Sequence, residues 1–105
     1  MLRSDIFRRY IVCEAYKRYG FNWWNRTKFF EEIKEEAYNL NFVNSRTLND
    51  DSVLGKRWSI YLFWLRGHKW TEFKEEKQRN YFRVILPVEQ INEFQKDVIL
   101  YKLNQ

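Results

Sequence analysis

Few side chains in this 105-residue chain suit covalent or acid–base chemistry, and those few form no pattern. There is one cysteine, Cys13, and one histidine, His68. A nucleophilic thiol or hydroxyl needs a base within hydrogen-bond reach, and no motif supplies that pairing here. Cys13 lies in an aromatic helical stretch and reads as a small core residue; His68 lies in a basic polar segment and reads as solvated. One Cys and one His do not frame a metal site. Asp50-Asp51 follow Asn49 and read as a turn rather than a metal pair. The only glycines, Gly20, Gly55 and Gly67, make neither a phosphate loop nor a dinucleotide signature. Asn25-Arg26-Thr27 matches a glycosylation acceptor, which matters only in a secreted chain. We expect no catalytic residue, metal or cofactor.

Binding chemistry is better represented. Lys and Arg attract backbone phosphates whatever the base sequence, and aromatic faces stack on unpaired bases. Arg57-Trp58, Arg66-Gly67-His68-Lys69-Trp70 and Arg79-Asn80-Tyr81 interleave the two types. The net charge of +5 and pI near 9.4 agree with a polyanionic partner. Residues 1–20 carry five basic against two acidic residues, and residues 46–83 nine against five, while the two remaining stretches are each −1. The candidate phosphate contacts are Arg8, Arg9, Lys17, Arg18, Lys28, Lys56, Arg57, Arg66, Lys69 and Arg79, with Trp70 as an exposed stacking ring.

The elements that must position these residues follow from periodicity. Residues 5–19 read as a first helix with Phe7, Tyr10, Ile11 and Ala15 inward, Ser4 or Asp5 as cap and Gly20 as left-handed exit. An aromatic connector, Phe21-Asn22-Trp23-Trp24, leads to a second helix capped by Asn25 and ending near Asn39. Its inner stripe is Phe29, Phe30, Ile33, Ala37 and Leu40. Its outer face carries Glu31, Glu32, Glu35 and Glu36, which would repel phosphate, so only its start, with Arg26, Thr27 and Lys28, suits DNA. Residues 41–55 have turn composition and accommodate a short strand or a short third helix.

Residues 57–65 and 81–86 are rich in aromatic and β-branched side chains and are expected to be two strands, joined by a long basic tip. Pro87 then opens a final helix with Val88, Ile91, Phe94, Val98 and Tyr101 at helical spacing. The expected class is α+β and winged-helix-like: helices, a long basic β-hairpin and a C-terminal helix in one domain. A chain this short supports one modest core. With 20% aromatic residues it has more rings than such a core encloses, so some are expected on contact surfaces. No apolar run approaches the ~20 residues that span a bilayer. A single cysteine and an N-terminus without an apolar signal core point to an intracellular, cytoplasmic setting.

The order helix, helix, basic hairpin is that of a winged helix, and several residues extend the likeness. Residues 10–13, Tyr16 and Tyr19-Gly20 resemble the aromatic helix, with its Cys and closing Gly, that opens the C-terminal domain of phage-type and poxvirus-type primase-helicases. Phe30, Ile33 and Phe42 are similar to that domain's second helix and exit. Gly55-Lys56-Arg57-Trp58 with Ile60 and Leu62 is similar to its wing strand. The resemblance covers residues 5–65. It implies a fragment or relative of a replicative helicase of viral or mobile-element type, with ATPase and primase domains elsewhere. The implied task is holding single-stranded, duplex or forked DNA beside the motor, with other replication proteins as further partners and no membrane. The competing expectation is a protein-interaction module, or a small phage or viral regulator, using an exposed aromatic patch.

Overall fold

The computed structural model describes residues 1–45 and 51–105, and for residues 51–55 the backbone path only. The expected turn residues Leu48-Asn49-Asp50, and with them the Asp50-Asp51 pair, lie outside the described side chains. The order is α1 (Arg3–Tyr19), β1 (Trp24–Asn25), α2 (Arg26–Asn39), α3 (Asp51–Gly67), β2 (Thr71–Glu76), β3 (Arg79–Val84) and α4 (Val88–Leu103). Among the described residues the fold is α+β, with four helices and a three-stranded antiparallel sheet ordered β1-β3-β2.

Helix α1 is the centre of the molecule. Ile6, Phe7 and all of residues 10–15 are buried, including Cys13 and Glu14. Burial on nearly every side means that other elements surround it. Helix α4 runs antiparallel along it: Cys13 Sγ meets the Ile91 carbonyl at 3.9 Å, and Arg9 lies 3.4 Å from Asp97. The helix starts two residues before the expected cap. Leu2 takes that position without a side-chain bond, and Asp5 sits in the first turn, where a carboxylate favours the dipole. Gly20 follows at φ 62°, ψ −127°, a region that glycine alone enters readily.

Asn25 caps α2 as its position predicts, its Oδ1 accepting from Lys28 N at 2.9 Å. Asn41, at φ 65°, closes the helix, and Phe42 N donates back to Ala37 O at 2.9 Å. Helix α2 places Phe29 on Trp24 and Phe30 on Trp58, with ring centroids 4.6 and 4.8 Å apart. The inner sheet face continues this aromatic layer across paired positions Trp24, Phe82 and Phe73.

Residues 57–65 are not a strand but the body of α3, with Trp58, Leu62 and Leu65 buried at helical spacing. The hairpin is also shorter than expected, and its first strand is Thr71–Glu76, within what had read as connector. Its turn is Lys77-Gln78, both at positive φ, 53° and 64°, the pairing whose twist matches antiparallel strands. The hairpin is almost charge-balanced rather than basic, with Lys74 on Glu76 and Arg83 on Glu72 at 3.2 and 2.7 Å. A two-residue β1, not foreseen in the aromatic connector, pairs Trp24 with Phe82 and Asn25 with Tyr81. The second strand, expected over residues 81–86, begins and ends two residues earlier, while the hairpin's place before a C-terminal helix, and α2 and α4, agree with expectation. No described helix is long and apolar enough to cross a membrane.

Candidate nucleic-acid interface

Helix α3 turns Trp58, Leu62 and Leu65 into the core, so helical geometry puts Lys56, Ile60, Phe63 and Gly67 on the opposite side. Arg57 and Arg66 flank that stripe, and both are exposed. Between Lys56 and Gly67 the helix has no acidic residue. Lys56, Arg57 and Arg66 form no ion pair among the described residues; Arg66 rests its guanidinium 4.7 Å over the Phe73 ring of β2.

The start of α2 is fastened to this helix. Trp58 Nε1 donates to the Arg26 carbonyl at 3.1 Å, and the Arg26 guanidinium donates to Ser59 Oγ. Burial lowers the Arg26 pKa, yet a guanidinium stays charged at neutral pH. Thr27 and Lys28 stand exposed on the first turn of α2, where the helix dipole adds positive potential. Asn25, Arg26 and Thr27 share a shallow cleft with Gln78, Arg79 and Asn80 of the hairpin. Thus Lys28, Lys56, Arg57, Arg66 and Arg79, all expected phosphate contacts, lie on three elements that touch one another.

The cations of α1 are placed differently. Arg8 bonds Asp5 at 3.0 Å and covers the Trp64 ring at 4.3 Å. Arg9 pairs with Asp97 and lies 5.2 Å over Phe94, and Arg18 pairs with Glu14 at 3.0 Å. These three guanidiniums are engaged inside the protein, while Lys17 is exposed without an ion pair among the described residues. Trp70 is not an exposed stacking ring: it is half-buried against Trp64 and Phe94, with centroids at 4.9 and 4.6 Å. Lys69, exposed at φ 61°, closes α3, where Trp70 N donates to Leu65 O at 2.9 Å.

The chemically reactive candidates have structural surroundings. Burial pushes the Cys13 thiol up to about 12, so it is a thiol at neutral pH. His68 stacks on Trp64 at 3.7 Å, and its Nδ1 lies 2.9 Å from the Trp64 carbonyl, closing the helix end. Two of the glutamates on α2 also have internal work. Glu36 accepts from Tyr10 Oη at 2.7 Å and lies 3.5 Å from Lys102 Nζ, and Glu32 accepts from Tyr19 Oη. The Tyr10 hydrogen bond is the main cause of a lowered Glu36 pKa, while burial, with that same bond, raises the Tyr10 phenol. Among the described residues no three His, Cys, Asp or Glu come together to hold a metal.

Ile60 and Phe63, expected as strand positions, join the candidate surface as exposed apolar residues of α3. They are 63% and 58% exposed, in contrast with Trp58, Leu62 and Leu65, buried on the inner side of the same helix. The spacing of Trp58, Leu62 and Leu65 was the signal that could have found them. The same change of element places the wing-strand motif of the primase-helicase resemblance, Lys56-Arg57-Trp58 with Ile60 and Leu62, on a helix. Comparison with protein families, characterised proteins and solved structures finds no match to this chain.

Proposed function

We propose that this chain is a winged-helix-like DNA-binding domain that lays α3 against the duplex and touches phosphates from α3, the start of α2 and the hairpin turn. The observation that carries the reading is the set of cations without an ion pair among the described residues, Lys28, Lys56, Arg57, Arg66 and Arg79, on those adjoining elements, while Arg8, Arg9 and Arg18 of α1 are neutralised. The element order supports it as well: α2 and α3 precede a hairpin whose second strand pairs with a short strand before α2, the arrangement of a helix-turn-helix with a wing. Helix α3 has 17 residues, a length of about 25 Å, and an α-helix fits a major groove about 12 Å wide. This moves the contact from α1 to α3.

Within the proposal the domain is an accessory to a viral or mobile-element replication protein of primase-helicase type. That part rests on the likeness of α1 and α2, through residues 10–13, Tyr16, Gly20, Phe30 and Ile33. The chemistry of the site is non-covalent: it binds and orients a strand for a motor located elsewhere. One observation favours a second reading as a protein-interaction module, namely Ile99, Leu100 and Leu103 exposed together near the end of α4.

The test is a titration of labelled single-stranded, duplex and forked DNA at two salt concentrations. We expect duplex or forked DNA to be retained with an affinity that falls steeply with salt. Substituting Lys56→Ala, Arg57→Ala and Arg66→Ala together is expected to weaken binding by about 100-fold at low salt, reduce the salt slope by up to ~3, and leave thermal unfolding nearly unchanged. No retention of any DNA, with co-purification of a protein instead, supports the second reading.

A further inference from the structure

We infer that the outward face of α3 reads thymine methyl groups in the major groove, so that the domain prefers duplexes carrying thymines at the contacted positions. The inference rests on the duplex-binding reading above and adds a ligand preference to it. It begins from Ile60 and Phe63, whose exposure is out of keeping with their apolar character, on the same stripe as Lys56 and Gly67.

Ser59 Oγ accepts from Arg26 and His68 is stacked on Trp64, so these neutral polar groups near the stripe are already engaged. From Lys56 to Gly67 there is no Asn, Gln, Asp or Glu. The usual hydrogen-bonding readers of adenine and cytosine are therefore missing from this stretch. An Ile and a Phe can instead contact the C5-methyl of thymine, the one apolar group that the four bases present in the major groove.

Charge selects DNA over a protein as the occupant. Lys56, Arg57 and Arg66 border the apolar pair, and burying them in an apolar protein interface would strip water from cations that have no ion-pair partner among the described residues. Phosphates flanking a groove supply those partners. Gly67 ends α3 on the same stripe, and a Cβ there would meet nothing of this chain within 4 Å.

The experiment compares the full chain on one thymine-rich duplex with the same duplex carrying deoxyuridine at every thymine. The exchange deletes only the C5-methyl and keeps charge and hydrogen-bonding edges. We expect affinity to fall by about three- to ten-fold, the scale of one or two buried methyl groups. A duplex with 5-methylcytosine in place of cytosine should gain affinity over its unmethylated form. Ile60→Ser with Phe63→Ala should bind the thymine and uracil duplexes equally, with an unchanged salt slope. Equal affinity of the unaltered chain for both duplexes overturns the inference while leaving DNA binding intact. So does a double variant that keeps the discrimination, or one whose only change is loss of self-association. Failure to retain any duplex defeats the underlying reading instead. Because the decisive change is in the DNA, the result does not depend on a variant folding.

Discussion

Helices α1 and α3 carry similar basic residues in opposite circumstances. On α1, Arg8, Arg9 and Arg18 each have a carboxylate partner, and two of them also cover aromatic rings. On α3, Lys56, Arg57 and Arg66 are exposed, with no ion pair among the described residues. Counting cations along the chain makes the two helices look alike. A surface potential depends on the charges left unneutralised, and among the described residues these are Lys56, Arg57 and Arg66 on α3 against Arg3 and Lys17 on α1. The contrast follows from position: α1 is enclosed by other elements that must satisfy its polar groups, whereas one side of α3 faces water.

The sharpest way to break this comparison is to remove charge from each helix in turn. Arg8→Ala with Arg9→Ala deletes two ion pairs and the stems that cover Trp64 and Phe94. We expect a loss of about 2 kcal/mol in denaturant unfolding, with DNA affinity of the folded protein nearly unchanged. The α3 substitutions described above should do the reverse. If the α1 pair weakens binding with the same salt signature as the α3 set, the division of labour is wrong.

Acid separates the helices in a second way. The Tyr10 hydrogen bond holds the Glu36 carboxyl below its usual range. A carboxyl depressed in the folded state stabilises fully above its unfolded pKa, and that contribution is lost as pH falls through the folded value. We therefore expect stability to decline below about pH 4 partly through Glu36, since that is where an unperturbed Glu titrates. Glu36→Gln should flatten this limb of a pH–stability curve. Glu36 sits where α1, α2 and α4 meet, through Tyr10 and Lys102, so this part of the acid limb belongs to that junction. An unchanged limb in the variant removes Glu36 from that account.

Much of the helical frame was legible in the sequence because its signals agree at several levels. Asn25 caps α2, Gly20 follows α1, and Ile91, Phe94 and Val98 on α4 are buried at the spacing that suggested them. Helix α3 was not legible, for a physical reason. Its inward residues Trp58, Leu62 and Leu65 keep helical spacing, but Ile60 and Phe63 fill the outer side with apolar β-formers and erase the contrast on which periodicity depends. Strand β2 was hidden by the opposite fault. Its one large apolar residue, Phe73, stands among charged ones, as befits an edge strand that must not recruit another. The turn Lys77-Gln78 has neither Gly nor Asn to announce it. The candidate interface was thus legible in its cations and misread in its geometry, and sequence gave no sign that the α1 arginines find carboxylate partners. Ile60 and Phe63, which break the local pattern, are also the residues assigned the base contact, as expected where function overrides folding rules.

Lys69 tests the boundary between the two kinds of cation, and its effect is the smallest. It is exposed just beyond α3, yet its φ of 61° makes it the left-handed residue that ends the helix. A non-glycine residue there costs about 1 kcal/mol, and glycine would relieve it at some expense in unfolded-chain entropy. The net expectation for Lys69→Gly is a gain of about 0.5 kcal/mol, seen as a slightly higher midpoint in denaturant. If Lys69 only ends the helix, the salt slope of DNA binding stays at its original value. If it also meets a phosphate, the slope drops by about one, and affinity falls while stability rises. A loss of stability would show that the lysine stem packs usefully where it stands. Opposite movements of stability and affinity in one variant would place Lys69 with the α3 cations, because Arg8, Arg9 and Arg18 on α1 each hold a carboxylate within the fold.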